Sequence, residues 1–534
     1  MSSLPSLLAL LFTTITWVHA GGGSSDWSGW GGNSFNNRWQ PSTSLTASNV
    51  PSLTRRCSGL VYPFGISATP VISGKVVYYP TWNGSFVALD YTTCQIQWQI
   101  NVTQIIYDFA PLDPQTETAV YKVSRTSPQI DGDVLYFGTQ AHALMVAVNV
   151  KTGSLLDIIQ IHPHPLAIIT TSPTLYNGTL FLGTSSYEEP APLEFPGYPC
   201  CSFIGNAVAL SFNRYLSKFS VKWNVATLPS NSSWSGAGIW GSQPSIDPSR
   251  NQVFFGTGNV YSFPPEFAHC ANETSACLPA GVNQESILAL SIPTGKINWV
   301  RRITRMDAWN GACVLSPIDT TACAEDPPGT DADFGMAPSF VPHQTTAFGK
   351  DMVVVGQKNG VLYAFDAADG TTIWQQQTSS DGLGGGISWG IAMDDKQIYF
   401  TLPFTTTVDL SEPTSVFGAA DLGTGKVLWQ VPAATGNHTN AFALTAPTVA
   451  GDLVFYPRTG IVKSDGSAAD YDNSQGGLVV VDKSGKVVAD MTTDTTFQGG
   501  IAVSDGYVMF GTGYRNGQQY LGNGSLYILE IAKK

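Results

Sequence analysis

Cysteine is the residue type whose number and spacing first suggest chemistry. The chain of 534 residues contains eight cysteines, none in a Cys-x-x-Cys pair and none followed by histidine at ligand spacing. This pattern argues against a zinc site and against covalently attached haem. An even number of cysteines is typical of disulfides in an oxidising compartment. We predict four local disulfides: Cys57–Cys94, Cys200–Cys201, Cys270–Cys277 and Cys313–Cys323.

Other common catalytic and binding patterns are missing from the sequence. No Ser-His-Asp arrangement can be placed, and His162-x-His164 is flanked by prolines, which is typical of a loop. The net charge is −13, from 26 Lys+Arg and 39 Asp+Glu, and no run of basic residues occurs. Neutralisation of phosphates needs such basic residues. A triad hydrolase and a nucleic-acid-binding protein are therefore disfavoured.

The N-terminus has the features of a secretory signal. Residues 1–20 carry no charge, and an apolar run from Leu7 to Val18 precedes Val18-His19-Ala20. Small residues at that point are typical of a cleavage site. The alternative is a membrane anchor, but the run is shorter than the roughly 20 residues that span a bilayer. We predict a signal peptide at residues 1–20, a single domain at residues 21–534, and no membrane span.

Potential glycosylation sites also favour secretion. Asn-x-Ser/Thr sequons begin at Asn83, Asn101, Asn177, Asn231, Asn272, Asn437 and Asn523. Each could carry a surface glycan in a secreted protein. Chance alone would supply several sequons in a chain this rich in serine and threonine, so they support a eukaryotic secretory route without establishing it.

A repeated pattern indicates which elements position the remaining side chains. The pattern is Ala-x-Asp at the end of a strand, a turn with glycine, and a tryptophan four residues beyond that glycine. It is clearest at 364–374 and 419–429. Degenerate copies end at Trp98, Asp157, Trp223 and Trp299, and two weaker copies lie at 480–485 and 526–531. The chain therefore contains eight repeats.

A predicted strand pair precedes each repeat end. The eight pairs span residues 68–79, 127–138, 172–183, 243–256, 337–356, 387–401, 446–456 and 499–511. β-branched and aromatic residues alternate there around hairpin turns such as Asn177-Gly178. We predict an all-β fold, an eight-bladed β-propeller of four-stranded antiparallel sheets. Each repeat tryptophan should lie over the next blade with its indole N–H on a backbone carbonyl; contact with a cofactor is the less favoured alternative.

Several motifs between the repeats resemble a known family. They are Trp27-x-x-Trp30-Gly31-Gly32, Pro199-Cys200-Cys201-Ser202-Phe203, Gly238-Ile239-Trp240-Gly241-Ser242, Phe255-Gly256-Thr257-Gly258-Asn259, Ala308-Trp309-Asn310-Gly311-Ala312-Cys313 and Asp331-Ala332-Asp333-Phe334-Gly335. With them, the chain resembles the quinoprotein alcohol dehydrogenases, most closely the polyvinyl alcohol dehydrogenase-like branch. The resemblance implies pyrroloquinoline quinone and a calcium-type ion in an axial pocket.

The resemblance implies roles for residues that would bind the quinone. Arg125 matches the residue that holds a quinone carboxylate, Trp240 the aromatic floor under the quinone ring, and Lys358 the basic group at the reactive carbonyl edge. Alternatively, these residues are a surface arginine, a core tryptophan and a lysine beside a hairpin turn. Cys200 and Cys201 are also candidate cofactor contacts, although their position in the chain leaves open whether their ring covers the cofactor.

The resemblance also implies ligands for the ion. Glu188, Asn259 and Asp333 match the ligand positions, with Glu189 as an adjacent competitor for Glu188. Carboxylate and amide oxygens suit a hard dication. Asp333 also matches the catalytic base that accepts the hydroxyl proton. Gly335 stands where some relatives have a further carboxylate for a trivalent ion, so calcium is expected. Alternatively, Asn259 is a turn residue and Asp333 belongs to a polar loop.

The resemblance implies an oxidoreductase, and the N-terminal signal and the sequons predict that it is secreted. It would oxidise an alcohol, polyol or sugar hydroxyl with pyrroloquinoline quinone and calcium. Because no haem motif occurs, the electrons would pass to an external acceptor. The alternative is a propeller without catalysis that binds carbohydrate or protein. Such a protein need not keep six residues together, all of which are present here: Arg125, Glu188, Trp240, Asn259, Asp333 and Lys358.

Overall fold

The computed structural model describes residues 26–230, 232–314, 322–325, 327–343, 349–379, 386–403, 415–433, 441–462, 471–472, 476–516, 519–520 and 523–532. The predicted signal peptide and the sequons at Asn231 and Asn437 lie outside these residues. The division into a signal peptide and a single domain stays a prediction.

Eight antiparallel sheets form the propeller that the repeats predict. Blade 1 consists of Val71–Ser73, Val76–Pro80, Ser85–Asp90 and Gln95–Asn101. Blade 2 consists of Gln129–Asp131, Val134–Gly138, Leu144–Asn149 and Leu155–Gln160. Blade 3 consists of Thr174–Tyr176, Thr179–Gly183, Asn206–Asn213 and Lys218–Ala226. Blade 4 consists of Ser245–Asp247, Gln252–Gly256, Ser286–Ser291 and Ile297–Arg302. The predicted strand pairs are the first two strands of each blade.

The second half of the ring repeats this arrangement. Blade 5 consists of Ser339–Val341, Met352–Gly356, Val361–Asp366 and Thr372–Gln377. Blade 6 consists of Ala392–Met393, Gln397–Leu402, Val416–Asp421 and Val427–Pro432. Blade 7 consists of Thr448–Ala450, Leu453–Arg458, Gly477–Asp482 and Val487–Thr492. Blade 8 consists of Ile501–Ser504, Tyr507–Gly511 and Asn523–Ile531, with Leu53–Arg55 as its outermost strand. The propeller prediction is confirmed.

Residues from the N-terminal part of the chain close the ring and fill part of its axis. Leu53–Arg55 pairs antiparallel with Asn523–Ile531, and Trp39–Gln40 pairs parallel with Thr448–Ala450. Upstream, the backbone of residues 27–38 bonds to blades 1, 4, 5, 6 and 7 through their innermost strands. The first blade strands therefore face the axis. The fourth strands carry most of the exposed positions.

The repeat tryptophans join neighbouring blades as predicted. Their indole N–H groups donate to the carbonyl oxygens of the next blade, from Trp98 to Val150, Trp223 to Ile292, Trp299 to Ala367, Trp374 to Leu422 and Trp429 to Lys483. Each ring also covers a turn glycine of that blade, such as Gly425 beneath Trp374. In blade 2 Asp157 replaces the tryptophan and accepts a hydrogen bond from the Phe219 N–H of blade 3 at 2.8 Å.

The remaining elements are short. The α-helices are Val102–Phe109, Pro114–Ala119 and Ala191–Glu194, and the 3-10 helices are Val50–Ser52, Ala141–Ala143, Pro265–Asn272, Ser275–Cys277 and Gly311–Val314. Short strands outside the blades are Val61–Pro63, Ala167–Ile168, Ser185–Ser186, Ser235–Gly236, Val260–Ser262, Ala441–Phe442, Gly460–Val462, Tyr471–Asp472, Arg515–Asn516 and Gln519–Tyr520. Within the described ranges, no helix has the length and apolar character to cross a membrane. All four predicted disulfides are present.

Candidate active site

The topology of a blade brings two kinds of segment to one end of the propeller. The chain enters the first strand at the same end at which it leaves the second, because the two strands are antiparallel. Trp240 and Asp333 lie just ahead of first strands, whereas Asn259 and Lys358 lie just after second strands. Residues more than 200 positions apart in the sequence, such as Arg125 and Lys358, therefore belong to the same face.

Three carboxylates meet at this face. Glu189, Asp331 and Asp333 each offer an oxygen, and these oxygens all lie within 4.8 Å of one another. The Lys358 ammonium lies 2.7 Å from Asp331 Oδ1 and 3.4 Å from Asp333 Oδ2. Among the described residues one cation therefore faces three acids, so the cluster has excess negative charge when all three acids are ionised.

The ionisation of the cluster reflects this imbalance. Burial, together with the neighbouring carboxylates of Asp333 and Asp331, raises the pKa of Glu189 well above its ordinary value. Burial raises the pKa of Asp331 too, although Lys358 opposes that shift. Burial alone would lower the pKa of Lys358, but the three acids raise it. A further cation at this place would relieve the repulsion between the carboxylates.

Asp333 is held by two donors from the segments that flank the first two strands of blade 4. The Asn259 N–H donates to its Oδ1 at 2.6 Å, and the Trp240 indole N–H donates to its Oδ2 at 3.1 Å. Gly258 permits this approach, because a Cβ there would lie 2.5 Å from Asp333 Oδ1. The segment before Asp333 is held by Asp307, whose carboxylate accepts the N–H groups of Asp331 at 3.2 Å and Ala332 at 2.9 Å.

The hydrogen bonds of its amide nitrogen orient the Asn259 side chain. The residue is 1% exposed. Its Nδ2 donates to the carbonyl oxygens of Val260 and Trp309 at 2.9 and 2.8 Å. Among the described residues nothing donates a hydrogen bond to its Oδ1. An amide oxygen without a donor is suited to act as a ligand of a hard cation.

A cavity lies beside the carboxylate cluster. Trp240 lines the cavity and donates a hydrogen bond to Asp333 of the cluster. The cavity has a volume of about 40 Å³ and is partly open to solvent. Its wall consists of Trp30, Ser67, Ala68, Arg125, Thr170, Ser172, Trp240, Gly241, Ser242, Trp389, Thr445, Ala446, Gln498, Gly500 and Tyr514. The rings of Trp240 and Trp389 pack edge to face with centroids 5.3 Å apart. The Arg125 guanidinium lies 5.3 Å from the Trp389 ring centre, and Lys358 Nζ lies 5.6 Å from that of Trp240.

Glu188, a ligand expected from the sequence, lies outside this cluster, and its role as a ligand stays a prediction. It is fully buried, and its carboxylate accepts hydrogen bonds from the N–H groups of Ser202 and Phe203 and from the Tyr198 hydroxyl. Burial would raise the pKa of Glu188, but its hydrogen bonds, chiefly those from His164 and Phe203, lower it. Because adjacent side chains in this segment point to different partners, Glu189 is the one that reaches Asp331 and Asp333.

The cysteine pair lies near the cation candidates rather than in the cavity wall. Asn310 Nδ2 lies 3.5 Å from Cys200 Sγ, and the carbonyl of the preceding Trp309 accepts from Asn259. Neither Cys200 nor Cys201 is among the residues that line the cavity. Their contact with a cofactor stays a prediction.

The sequence analysis missed several residues of this site. Trp389 and Tyr514 line the cavity, and Asp331 and Asp307 build the cluster and its support. Trp389 could have been found, because it precedes the first strand of blade 6 as Trp240 precedes that of blade 4. Tyr514 likewise follows a second strand. The role of Asp307 had no local signal, since its partners are more than 20 residues away.

Comparison with known proteins places the fold in a family. The family model PQQ_2, described as outer membrane protein assembly factor BamB, matches residues 57–188 and 283–476. A polyvinylalcohol dehydrogenase of Sphingopyxis sp. (strain 113P3) is 26% identical over 426 residues, which cover 76% of this chain and 59% of that protein. A polyvinylalcohol dehydrogenase of Pseudomonas sp. is 28% identical over 421 residues, which again cover 76% of this chain and 59% of that protein. The chain thus spans about three-fifths of the length of these relatives.

The solved structures agree on the fold. A europium-containing methanol dehydrogenase superposes with a TM-score of 0.67 at 16% identity. The superposition covers 95% of this chain and 98% of the methanol dehydrogenase chain. At that identity the likeness concerns the propeller alone. The family model, in contrast, matches more than half of the sequence itself. The chain therefore belongs to the PQQ_2 family of β-propellers and is similar to its quinoprotein alcohol dehydrogenases.

Proposed function

We propose that this protein is an oxidoreductase that oxidises the hydroxyl group of an alcohol, polyol or sugar. It would use pyrroloquinoline quinone and a hard cation, for which calcium is the expected ion, and would pass electrons to an external acceptor. The observation that carries the proposal is the oxygen cluster of Glu189, Asp331 and Asp333 beside the Trp240 ring. The similarity to polyvinylalcohol dehydrogenases supports it.

The residues present fit both groups. Hard cations of the calcium type take about six to eight oxygen ligands. Glu189 and Asp333 offer several of these oxygens, in a cluster where three acids face the single ammonium of Lys358 among the described residues. The Asn259 amide oxygen is a further candidate, because the Asn259 N–H already bonds to Asp333. Arg125 is suited to a carboxylate of the quinone, because its planar guanidinium can donate two parallel hydrogen bonds. Trp240 offers a flat aromatic face between the cavity and the cluster.

The protein's own groups have separable tasks in the reaction. Asp333 would accept the hydroxyl proton at Oδ2, the oxygen that also faces Trp240 Nε1 and Lys358 Nζ. Lys358 would keep positive charge beside the carbonyl edge of the cofactor while it pairs with Asp331. When bound, the quinone supplies the two-electron acceptor, and the cation polarises it as a Lewis acid. The alcohol leaves as an aldehyde or ketone.

Fluorescence titration tests the proposal directly. Purified protein is titrated with pyrroloquinoline quinone in the presence of calcium, and dye reduction is then followed with a panel of alcohols, polyols and sugars. We expect Trp240→Ala to weaken quinone binding about tenfold, since a stacking contact is worth about 1.5 kcal/mol. Asp333→Ala should lower the rate of dye reduction about hundredfold or more. Asp369→Ala, in an exposed turn, is the matched control.

The titration also separates the enzyme from a binding module. If quinone does not bind at micromolar concentration, the chain is better described as a propeller that binds carbohydrate or protein. If quinone binds but no member of the panel reduces the dye, the oxidoreductase assignment fails.

We also propose that the protein is secreted. Four disulfides support an oxidising compartment, and the described sequon residues Asn83, Asn101, Asn177, Asn272 and Asn523 are exposed. Expression of the full chain in a eukaryotic host tests this. We expect the protein in the medium, with a mass that falls after glycosidase treatment. Retention inside the cell without glycans would contradict secretion.

A further inference from the structure

The buried carboxylate of Glu188 makes contacts that its neighbour Glu189 lacks. Its Oε1 accepts a hydrogen bond from the Tyr198 hydroxyl at 2.9 Å, and its Oε2 accepts one from the Phe203 N–H at 2.6 Å. The Ser202 N–H lies 2.9 Å from both oxygens. All these donors belong to residues 198–203, which we call the cysteine-pair loop because it contains Cys200 and Cys201.

No lysine or arginine among the described residues pairs with this charge. The nearest basic group is His164, whose Nε2 lies 3.6 Å from Glu188 Oε1 and 3.1 Å from the Ser202 hydroxyl. Apart from His164, the groups that stabilise the negative charge are the N–H and O–H groups of the cysteine-pair loop. A buried carboxylate that accepts several N–H groups holds their backbone strongly, because loss of those bonds would leave it unpaired.

The cysteine-pair loop in turn contacts the segment that supports the cation candidates. Asn310 Nδ2 lies 3.5 Å from Cys200 Sγ. The following Gly311 N–H donates to the Glu189 carbonyl oxygen at 2.8 Å. The preceding Trp309 carbonyl accepts from Asn259 Nδ2 at 2.8 Å. Residues 309–311 thus contact the cysteine-pair loop, Glu189 and Asn259.

We propose that Glu188 is a positioning residue that anchors the cysteine-pair loop against residues 309–311 and so holds Glu189 and Asn259 for the cation. Adjacent glutamates then divide two tasks, since Glu189 binds the ion and Glu188 fixes the loop that supports it. The cation part rests on the proposed function, whereas the anchoring of the loop does not.

Two substitutions on adjacent residues test this division. The full chain is prepared as wild type, Glu188→Gln and Glu189→Gln, and each is incubated with dithiothreitol. Reduced cysteines are alkylated over time and quantified by mass spectrometry, and calcium affinity is measured by calorimetry. The disulfides Cys57–Cys94 and Cys270–Cys277 are internal controls in every sample. Cys313–Cys323 is not a control, because Cys313 shares a short helix with Gly311.

The two variants should give opposite patterns. In Glu188→Gln, an amide cannot accept all the N–H groups, so the loop opens more often and Cys200–Cys201 is reduced about tenfold faster. The two control disulfides should keep their wild-type rates, and calcium affinity should fall several-fold. In Glu189→Gln, calcium affinity should fall about hundredfold, with Cys200–Cys201 reduced at the wild-type rate.

Several results would overturn the inference. One is an unchanged reduction rate of Cys200–Cys201 in Glu188→Gln; another is an equal acceleration of all four disulfides, which indicates general destabilisation. If Glu188→Gln does not fold, Tyr198→Phe removes one donor and leaves the buried charge. It should accelerate reduction of Cys200–Cys201 alone, by about threefold. If wild type binds no calcium, the cation part is wrong, and the reduction rates still decide the anchoring.

Discussion

Lys358 is the residue on which the charge of the carboxylate cluster depends. It is the cation that contacts Asp331 and Asp333, and all three side chains are largely buried. Removal of one partner of a buried ion pair costs about 3–5 kcal/mol, because it leaves the other charge uncompensated. With a chelator present, we expect Lys358→Met to lower the free energy of unfolding by about 3 kcal/mol at pH 8, measured by urea denaturation.

The destabilisation by Lys358→Met should be smaller at pH 5 than at pH 8. Burial raises the pKa values of Glu189 and Asp331 in the folded protein, whereas the positive charge of Lys358 lowers both. Carboxyls of this kind stabilise the fold while protonated, and that stability is lost as pH rises through the folded pKa. Without Lys358, the fall in stability with rising pH is larger. The free energies of unfolding of wild type and variant should therefore diverge as the pH increases. Lys350→Met, which removes an exposed pair with Asp366, should change little at either pH. A pH-independent difference would contradict this explanation.

His162 should make the protein sensitive to acid. Its Nε2 donates to the Ile204 carbonyl at 2.9 Å, and its Nδ1 accepts from the His164 N–H at 3.1 Å, so the ring is neutral. Burial lowers the pKa of His162 from 6.5 to about 4. The unfolded chain therefore binds a proton first, and stability is lost as pH falls from about 6.5 towards 4.

A neutral replacement isolates this effect. We expect His162→Gln to keep a donor to the Ile204 carbonyl. Between pH 7 and pH 4.5 its free energy of unfolding should fall by about 2 kcal/mol less than that of wild type. Urea denaturation at both pH values measures it. Because other buried acids titrate in the same range, only the difference between the two proteins is informative. Parallel pH dependences would show that His162 is not the group responsible.

At the scale of elements, the contact between a repeat tryptophan and the next blade should be intolerant of added volume. Gly425 has φ +71°, and a Cβ there would lie 2.5 Å from the Trp374 ring. An alanine in this conformation costs about 1–2 kcal/mol, and overpacking adds about 1–3 kcal/mol. We therefore expect Gly425→Ala to lower the free energy of unfolding by about 3 kcal/mol, measured by urea denaturation.

Gly178 provides the matched control for this prediction. It lies in a hairpin turn with φ +68°, and nothing lies within 4 Å of its added Cβ. Gly178→Ala should therefore cost only the backbone strain, about 1–2 kcal/mol. Equal losses at Gly178 and Gly425 would mean that the contact with Trp374 does not constrain the turn.

The blades could be predicted from the sequence because their signals are local. Alternation over a hairpin and the spacing of Asp421, Gly425 and Trp429 lie within about a dozen residues. The site was less predictable. The motifs named Trp240, Asn259, Asp333 and Lys358, and the structure brings them together. The choice between Glu188 and Glu189 depends on which neighbour each side chain faces, and those partners are distant in the sequence.

At the scale of the whole molecule, closure of the ring depends on Arg38, which has no sequence signal. The side chain is fully buried near the axis, and burial lowers its pKa to about 9. Its guanidinium donates to the carbonyl oxygens of Trp30, Pro447 and Ile501 and to the hydroxyls of Thr69 and Thr448. These acceptors belong to the N-terminal segment and to blades 1, 7 and 8. One side chain thus ties the N-terminal segment to the blades on both sides of the closure.

Arg38→Met should therefore destabilise the ring as a whole. It leaves several buried acceptors without a donor, each of which costs about 1–3 kcal/mol, so we expect a loss on the order of 5 kcal/mol in urea denaturation. Trp30, which lines the cavity and lies 4.3 Å from the guanidinium, should become susceptible to proteolysis with its segment. Arg214→Met, which removes partly exposed ion pairs with Asp131 and Asp133, should cost less than about 1 kcal/mol. Similar losses in the two variants would mean that strand pairing alone, between Leu53–Arg55 and Asn523–Ile531, closes the propeller.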